Sequence, residues 1–459
     1  MGKATGTGRT FNREGRGRGN IAAMSHRFRM VPSVPGLLLA LTPSLCAAAG
    51  PVRAYVGVRL WDGSGRPPVE KATLVVQDGR VVAAGAGVAV PKGAERIDLA
   101  GRFVIPGLVN GHGHVGETRG LQAGPELYSR ENVLGQLALY ARYGVTTVVS
   151  LGGDQAEGFR VRGEQGTPAL ARARLYVAGR VVDATTPGAA REQVAALAAL
   201  EPDWVKIRVD DTLGTTAKMA PEVYRAVIEE AHRRGLRVAA HIFYLEDARG
   251  LLEAGVDYLA HSVRDQAVPA DFVAAVKKRG IPLCPTLMRE VSAFAYGDEP
   301  AFFADPFFLR EADPAVLAEL RSPERREKMR SSPAAARYRE ALKVASRNLK
   351  ALADAGVAVV MGTDTGPPAR FQGYFEHEEL RLMVEAGLSP EQALLAATGG
   401  AARALGLSDV GRLEPGAWAD FLVLTADPLA DIRNTRRLEA VYIAGNRVGR
   451  QSDRTHPAP

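Results

Sequence analysis

The chain has 459 residues, of which 46% are hydrophobic and 24% charged, as is ordinary for a globular protein with a large core. Its formal net charge is +7, but residues 1–49 hold seven Lys and Arg residues against one Glu, so the remainder is nearly neutral. This distribution excludes nucleic acid as a partner of the main body, and it argues against stable membrane insertion of the mature chain.

The segment before residue 50 has the pattern of a leader. A basic start at Met24 precedes a mostly apolar run over 31–46, and residues 47–49 offer an A-x-A cleavage site. The apolar run is too short and too rich in proline for a transmembrane helix. We therefore expect a leader over 1–49 with a signal peptide over about 24–49, and a periplasmic or extracellular mature protein. A disordered basic tail is the alternative.

Short β-strands with glycine turns are predicted near both ends of the remaining chain. Over 50–104, Asp78-Gly79 separates two apolar runs, which is a strong hairpin signal. Alternating apolar runs return over 408–450. Two such regions flanking a long middle predict one β-sandwich domain built from both chain ends, followed by a short tail over 451–459.

Strands and helices alternate over the middle of the chain, 105–407. Helical patterns such as 221–234 and 269–279 separate most of the strand candidates. This alternation predicts an α/β protein with a (β/α)8 TIM barrel. A charged and mostly helical insertion, about 294–355, follows the seventh strand and is expected to cover the site. The eight strand candidates are 107–112, 146–151, 175–182, 204–209, 238–243, 258–263, 283–287 and 357–363.

Polar side chains gather at the ends of these strands, where the active sites of barrels lie. His112 and His114 are two residues apart, so on a strand both imidazoles point to one side and suit a divalent metal such as zinc. Lys206 stands between Val205 and Ile207 and should point away from them, into the barrel. The candidate metal site comprises His112, His114, Lys206, His241, His261 and Asp364.

A buried ammonium is costly unless it is paired or neutralised. Beside a metal pair, Lys206 is expected to lose its proton and react with carbon dioxide, and the carbamate formed would be an anionic ligand able to bridge two cations. A lysine that pairs with a nearby acid is the alternative.

With these motifs the chain resembles the amidohydrolase superfamily, in its branch of imidazolonepropionase-like and prolidase-like enzymes. The resemblance spans about residues 52–450, nearly the whole mature chain. It implies a metal-dependent hydrolase with two divalent metal ions, most often zinc. The matching segments are 106–114, 205–207, His241, 260–262, 362–366, 393–398, 411–416 and 419–420.

The resemblance also implies a role for each candidate ligand. His112, His114 and Asp364 would hold the first metal. His241 and His261 would hold the second, and a carboxylated Lys206 would bridge the two. One departure is Asn110-Gly111, which stands before His112 where many relatives place an acid. Imidazolonepropionases use one metal and lack the lysine, so Lys206 argues against that activity.

The expected function is hydrolysis of a C–N bond in an N-acyl amino acid or a dipeptide-like small molecule, outside ordinary protein peptide bonds. A metal-bridging hydroxide would attack the carbonyl, and Asp364 would accept its proton and pass it to the leaving nitrogen. An esterase or lactonase with the same binuclear site is the first alternative, and a non-catalytic ligand-binding barrel is the second. A homo-oligomer is compatible with the sequence.

Four side chains just past the strand ends are candidates for substrate binding: Arg208, Tyr244, Arg264 and Arg289. For Arg208, a salt bridge at the rim is an equally good interpretation. His377 is expected to serve in a helix or to support a ligand, and His232 is expected to face solvent.

Overall fold

The computed structural model describes residues 50–449. The predicted leader over 1–49 and the tail over 451–459 lie outside the described residues. Within the described part the chain forms a mixed α/β fold, as the sequence predicts. None of the helices described there is long and apolar enough to cross a membrane.

Seventeen strands are described between residues 50 and 449. In chain order they are β1 Arg53–Leu60, β2 Val69–Gln77, β3 Arg80–Gly85, β4 Glu95–Asp98, β5 Phe103–Pro106, β6 Leu108–Gly113, β7 Thr118–Arg119, β8 Gln122–Ala123, β9 Val145–Ser150, β10 Arg174–Val177, β11 Val205–Arg208, β12 Val238–His241, β13 Tyr258–Ala260, β14 Leu283–Cys284, β15 Phe421–Leu424, β16 Leu438–Ile443 and β17 Asn446–Arg447.

The α-helices of the same part of the chain lie mostly between the parallel strands and after the seventh of them. They are α1 Arg130–Arg142, α2 Ala156–Gly163, α3 Pro187–Ala198, α4 Pro221–Arg233, α5 Leu245–Ala254, α6 Ala270–Arg279, α7 Leu287–Ser292, α8 Pro306–Leu309, α9 Pro314–Leu320, α10 Pro323–Arg330, α11 Pro333–Asp354, α12 Tyr374–Glu385, α13 Pro390–Ala396 and α14 Gly399–Leu405. Short 3-10 helices cover Pro125–Leu127, Ala295–Gly297, Ala301–Ala304 and Ile432–Arg436.

The two chain ends share one eight-stranded sheet. Its order is β17-β16-β15-β5-β1-β2-β3, with β4 paired to β1, and β15 joins β5 antiparallel. The predicted hairpin is confirmed: Asp78 (φ 50°) and Gly79 (φ 75°) link β2 to β3, and positive φ at both positions is what a tight hairpin turn requires. The two-layer sandwich stays a prediction.

The middle of the chain forms two parallel sheets, β10-β9-β6 and β11-β12-β13-β14. In register, Lys206 lies beside Ala239, and Arg208 lies beside His241. Isolated parallel bridges outside the strands join Val182 to Ile207, Leu283 to Val359 and Gly113 to Thr365. In the middle of the chain, the described residues therefore form two parallel sheets that isolated bridges connect. They do not form one closed ring of hydrogen-bonded strands.

The predicted strand 357–363 is wrong as a regular strand. Val360 N–H donates to Leu283 O, but Met361 N–H donates to Ala396 O at the end of α13. The N–H groups of Thr363 and Asp364 both donate to His112 O. The segment thus spreads its backbone hydrogen bonds over three partners, which interrupts a ladder.

Several other strand predictions are too long, including 238–243 and 258–263, whose strands end at His241 and Ala260. Two more show the reason. The candidate 283–287 ends as a strand at Cys284, because Leu287 already begins α7. The candidate 175–182 continues beyond β10 only as the isolated bridge at Val182. In both cases an apolar run continues past the residues that pair, and hydrophobicity alone cannot locate that boundary.

The predicted helices between strands are confirmed closely. α4 begins with Pro221 in its first turn, and α6 ends at Gly280, whose φ of 66° only glycine adopts without strain. The insertion after the seventh strand is helical, as expected. Its longest helix, α11, reaches the candidate site, because Tyr338 OH accepts a hydrogen bond from Arg289.

Candidate metal centre

The structure brings the six predicted ligands together at the carboxyl ends of the parallel strands. His112 lies in β6 and His114 just after it, while Lys206 lies in β11. His241 ends β12 and His261 follows β13. Asp364 comes from the irregular segment that hydrogen-bonds to His112 O. Parallel strands end at one edge, so side chains distant in sequence meet there.

His112, His114 and Asp364 form the tightest part of the cluster. Their potential ligand atoms all lie within 4.8 Å of one another. His114 Nε2 lies 2.8 Å from Asp364 Oδ1, and His112 Nε2 lies 3.5 Å from the same oxygen. The three groups therefore converge on one point, as a metal site requires.

A second part of the cluster continues from this point. The ring centroids of His112 and His261 are 4.7 Å apart, and those of His261 and His241 are 4.1 Å apart. Lys206 Nζ lies 3.4 Å from His112 Nε2. Four imidazoles, an amine and a carboxylate thus share one buried patch.

Hydrogen bonds define which nitrogen of two imidazoles carries the proton. His114 Nδ1 lies 3.0 Å from Gly152 O, which can only accept. His261 Nδ1 lies 2.6 Å from Thr286 Oγ1, whose own proton goes to Pro285 O. Both rings therefore carry hydrogen on Nδ1, which turns Nε2 towards the cluster, the orientation of a metal ligand held by an outer partner.

The arrangement leaves polar atoms that a cation would satisfy. His261 Nε2 is buried and has no hydrogen-bond partner among residues 50–449, and neither has His112 Nδ1. His114 Nε2 lies 2.8 Å from Asp364 Oδ1, a contact that either a proton or a metal ion between the two atoms makes favourable. The donor set of imidazoles and a carboxylate suits zinc or a similar divalent ion.

Burial keeps three of the candidate imidazoles neutral, whereas at His114 burial is outweighed by the hydrogen bond with Asp364 and the charge of that carboxylate, which raise the pKa. Burial lowers the pKa of His241 to about 3 and the pKa values of His112 and His261 well below the usual range. Burial also lowers the pKa of Lys206 to about 8, so a neutral amine becomes accessible. Neutral imidazoles are the form that binds metals.

Asp364 is held as a carboxylate by a neighbour that sequence reasoning missed. Burial alone would raise the pKa of Asp364, but the Arg370 guanidinium and the hydrogen bond with His114 hold it well below its usual range. Arg370 Nη1 lies 2.6 Å from Asp364 Oδ2, on the side away from His114. No sequence pattern marks Arg370, which lies in the loop before α12.

The backbone is strained at two ligand positions. His261 has φ 78° and Asp364 has φ 56°, both in the left-handed region that non-glycine residues rarely adopt. Such conformations persist only where the surroundings over-determine them, and they concentrate at functional sites.

A buried hydrogen-bond network supports the backbone around His112 and Asp364. Asn110 Oδ1 accepts a hydrogen bond from the His112 N–H, and Asn110 Nδ2 donates to Glu376 Oε1 at 2.6 Å. Thr363 and Thr365, which flank Asp364, donate to the same oxygen. Burial raises the pKa of Glu376 to about 7. Its position directly before His377 is the only sequence signal that pointed to this region.

Asp210 is a further residue that sequence reasoning missed. Its Oδ2 lies 3.0 Å from His241 Nε2, and its Oδ1 accepts a hydrogen bond from Arg208 Nε. Alternation along β11 and the residues after it could have identified Asp210. Lys206, Arg208 and Asp210 follow at intervals of two residues, so their side chains are expected on the same face.

The four candidate substrate contacts differ in location. Arg208 is exposed and paired with Asp210 at the rim, and Tyr244 OH donates to Asp211. The other two arginines are buried around Glu290: Arg264 Nε and Arg289 Nη1 each lie 3.1 Å from Glu290 Oε1, and Arg289 Nε lies 3.9 Å from Asp364 Oδ2.

The two remaining histidines of the described region have structural surroundings. His377 is buried in α12, between Thr435 Oγ1 at 2.9 Å and Tyr143 O at 2.8 Å, away from the cluster. His232 is exposed and lies 2.8 Å from Asp257. Both sites agree with the predictions from the sequence.

The chain matches a family model described as "Amidohydrolase family" over residues 103–448. It belongs to the amidohydrolase family. Enzymes of this family are generally metal-dependent, and this amidohydrolase is a hydrolase that acts on carbon–nitrogen bonds. The resemblance that the strand-end motifs indicated is thereby confirmed.

Related proteins place this amidohydrolase in the branch expected from the sequence. It is 26% identical to an imidazolonepropionase of Mycolicibacterium smegmatis, with 77% of this chain and 84% of that protein covered. It is 27% identical to an uncharacterized protein of Mycobacterium tuberculosis, with coverage of 84% and 95%. The crystal structure of a putative prolidase from Bifidobacterium longum matches with a TM-score of 0.70 and 25% identity, covering 87% of this chain and 95% of that one.

Proposed function

We propose that the protein is a binuclear metal-dependent amidohydrolase that cleaves the C–N bond of a dipeptide-like or N-acyl amino acid substrate. The observation that carries this proposal is the convergence of His112, His114 and Asp364 on one point, with the unpartnered Nε2 of His261 nearby. His112, His114 and Asp364 would hold one ion, and His241 and His261 the other. Zinc suits this donor set best.

Lys206 would bridge the two ions as a carbamate. Its neutral amine attacks carbon dioxide, a new N–C bond forms, one proton leaves the nitrogen, and the product is an anionic carbamate. Burial and the low pKa of the amine both favour this reaction, because an ammonium has no lone pair. The position of Nζ, 3.4 Å from His112 Nε2, supports a bridging role.

We also infer that the two parallel sheets belong to one (β/α)8 barrel. The three isolated bridges support this, because each joins an end of one sheet to the next strand segment around a ring: Val182 to Ile207, Leu283 to Val359 and Gly113 to Thr365. In that barrel the irregular segment 357–363 would occupy the eighth position. A sandwich domain from both chain ends would complete the architecture.

Asp364 is suited to move the proton of the reaction. Bound divalent ions supply an activated water and polarise the scissile carbonyl. Asp364 stays ionised beside Arg370, so it can accept a proton near the cluster and deliver it to the leaving nitrogen. Its Oδ1 faces the histidines while Oδ2 is held by Arg370, which orients the carboxylate for that exchange.

The substrate class follows from the cluster and from the relatives. A prolidase-like neighbour supports a dipeptide-like substrate, whereas Lys206 argues against imidazolonepropionase activity.

We further propose that the protein is exported after removal of a signal peptide, that its substrate is a small molecule, and that it can form a homo-oligomer in solution.

The test is metal stoichiometry by elemental analysis of the full-length protein, beside Lys206→Ala and the control Lys277→Ala on the exposed face of α6. We expect about two metal ions per chain in the wild type and in the control, with a sharp fall in Lys206→Ala. One ion or none, unchanged by Lys206→Ala, would contradict the binuclear site. Turnover of matched dipeptide, N-acyl amino acid and ester substrates then separates an amidohydrolase from an esterase.

A further inference from the structure

A cavity of about 1010 Å³ opens directly beside the candidate metal centre. His114 belongs to both, since it contributes to the metal cluster and to the cavity wall. We call this space the His114 cavity. Its remaining walls are largely apolar and come from α2, α3 and the segment after β10: Ala156, Phe159, Val181, Val182, Leu197 and Leu200.

Part of the apolar wall is open to solvent, while Val182 and Leu197 are buried. Leu200 is 56% exposed, and Phe159 is only half-buried. Few large hydrophobic side chains of the described region are exposed to this degree, and here one lines a cavity. An apolar surface of this kind next to a reactive centre is typical of a ligand site.

One carboxylate that lines the His114 cavity forms no hydrogen bond or ion pair among residues 50–449. Glu117 is half-buried and lies against Gly153, where a Cβ atom would stand 2.2 Å from Glu117 Oε2. Burial raises the pKa of Glu117, and the nearby charge of His114 opposes that shift without forming an ion pair. Gly153 adjoins Gly152, whose carbonyl holds His114 Nδ1, so Glu117 stands close to the metal ligands.

Hydrogen bonds join two loops that line the His114 cavity. Asp154 Oδ2 accepts hydrogen bonds from the N–H groups of Ala178 and Gly179, each at 3.0 Å. This carboxylate therefore ties the loop after β9 to the loop after β10. A cavity whose walls are fixed in advance loses less entropy when it binds a ligand.

We propose that the His114 cavity binds the amino-terminal residue of a dipeptide, with Glu117 accepting its α-ammonium group and the apolar walls holding its side chain. The inference rests on the proposed function and chooses between the two substrate classes named there. In a dipeptide the ammonium is one carbon from the scissile carbonyl, so its acceptor must stand beside the metal ligands, as Glu117 does. An N-acyl amino acid lacks that ammonium.

The other charged groups of the His114 cavity are less suited to this role. Arg180 and Asp183 line it but are exposed, so water screens their charges. Asp154 Oδ2 already accepts two backbone hydrogen bonds, and its Oδ1 is buried, so neither oxygen is open to a ligand in the cavity. Glu117 is therefore the carboxylate that gains most from a cationic partner, and the expected side chain is a bulky apolar one.

The test compares two ligands that differ only in the ammonium group. L-phenylalanine and 3-phenylpropionate are titrated by calorimetry into the full-length protein, with its metal content recorded. We expect L-phenylalanine to bind about tenfold tighter or better, as a charge-assisted hydrogen bond allows. Glu117→Gln should remove that preference while the Kd of 3-phenylpropionate stays within about twofold. Asp183→Asn, a matched loss of one carboxylate at the rim, should retain the preference.

A second variant tests the apolar walls. Ala156→Trp fills the cavity from the first turn of α2 and should weaken both ligands about tenfold or more. Equal binding of the two ligands by the wild type, binding of neither, or an unchanged preference in Glu117→Gln would overturn the proposal. If the protein holds no metal and cleaves no amide yet keeps the Glu117-dependent preference, the proposed function fails and the cavity assignment stands.

Discussion

Two groups of buried polar side chains differ in whether their polar atoms have partners. Arg174 and Asp420 are both about 1% exposed and form two direct contacts, of 2.7 and 3.2 Å. The remaining groups are also paired, because Arg174 donates to Gln165 O and Asp420 accepts from Ala444 N–H. The metal cluster is also largely buried, yet His112 Nδ1 and His261 Nε2 have no hydrogen-bond partner among residues 50–449.

This difference distinguishes a structural ion pair from a candidate functional site. The Arg174–Asp420 pair joins β10 to the start of β15, so it connects the parallel sheet to the sheet made from the chain ends, and nothing outside the chain is needed to complete it. The histidine cluster keeps two imidazole nitrogens without a partner among residues 50–449. A buried polar group without a partner costs about 1–3 kcal/mol, and a bound cation would relieve that cost in the cluster.

Removal of one metal ligand should have the largest effect, and it should fall on activity. His261→Ala deletes an Nε2 that has no partner in the chain, so we expect kcat/KM to fall about 10³-fold or more with the thermal midpoint of the metal-free protein unchanged or raised. Steady-state kinetics and thermal unfolding after chelation measure the two effects. His232→Ala, an exposed histidine, is the control. Activity within tenfold of the wild type would contradict a ligand role for His261.

Disruption of the satisfied pair should act in the opposite way. Arg174→Ala leaves Asp420 buried without its cation and should lower the free energy of unfolding by about 3–5 kcal/mol. The activity per folded molecule should stay near that of the wild type. Denaturant titration measures the loss, and Lys343→Ala, which removes an exposed ion pair with Glu340, should cost at most about 1 kcal/mol. Similar losses in both variants would remove the distinction between the two groups.

Glu379 is a buried acid whose hydrogen-bond partners are backbone N–H groups. Its oxygens accept the N–H groups of Leu287 and Met288 at the start of α7, and burial raises its pKa to about 8. The folded protein therefore holds this proton where the unfolded chain, with a pKa near 4.5, has lost it. The stability that the raised pKa contributes is present below about pH 4.5 and is lost as the pH rises towards 8.

The measurement is the free energy of unfolding of the wild type minus that of Glu379→Gln, followed between pH 5 and 8. We expect the difference to fall with rising pH, by up to about 1.4 kcal/mol per pH unit. A difference that is flat or rises with pH would show that Glu379 is ionised throughout this range.

The smallest effect is expected at the glycine beneath Glu117. Gly153→Ala adds a Cβ at φ 87° and 2.2 Å from Glu117 Oε2, so it should lower stability by about 1 kcal/mol and displace the carboxylate. The preference for L-phenylalanine over 3-phenylpropionate should fall while metal content stays unchanged. Gly163→Ala, where a Cβ meets open space at the end of α2, should be neutral or slightly stabilising.

The sequence by itself determined the family and predicted the cluster of candidate ligands. His112, Lys206, His241 and His261 each end or lie in a short apolar run, and the alternation of strands places their side chains at one edge. The Asp78-Gly79 hairpin was equally predictable, because few residue pairs tolerate the backbone of a two-residue turn. These features depend on local periodicity and local backbone preference.

Only the tertiary structure decided which partners the ligands meet. The contact of Asn110 with Glu376 joins residues 266 positions apart, and Arg370 reaches Asp364 from a loop without periodic pattern. The irregular path of 357–363 likewise depends on Ala396 O capturing one N–H of an otherwise apolar segment. Such contacts depend on how loops and helix ends pack against the strands, and local sequence patterns do not encode that packing.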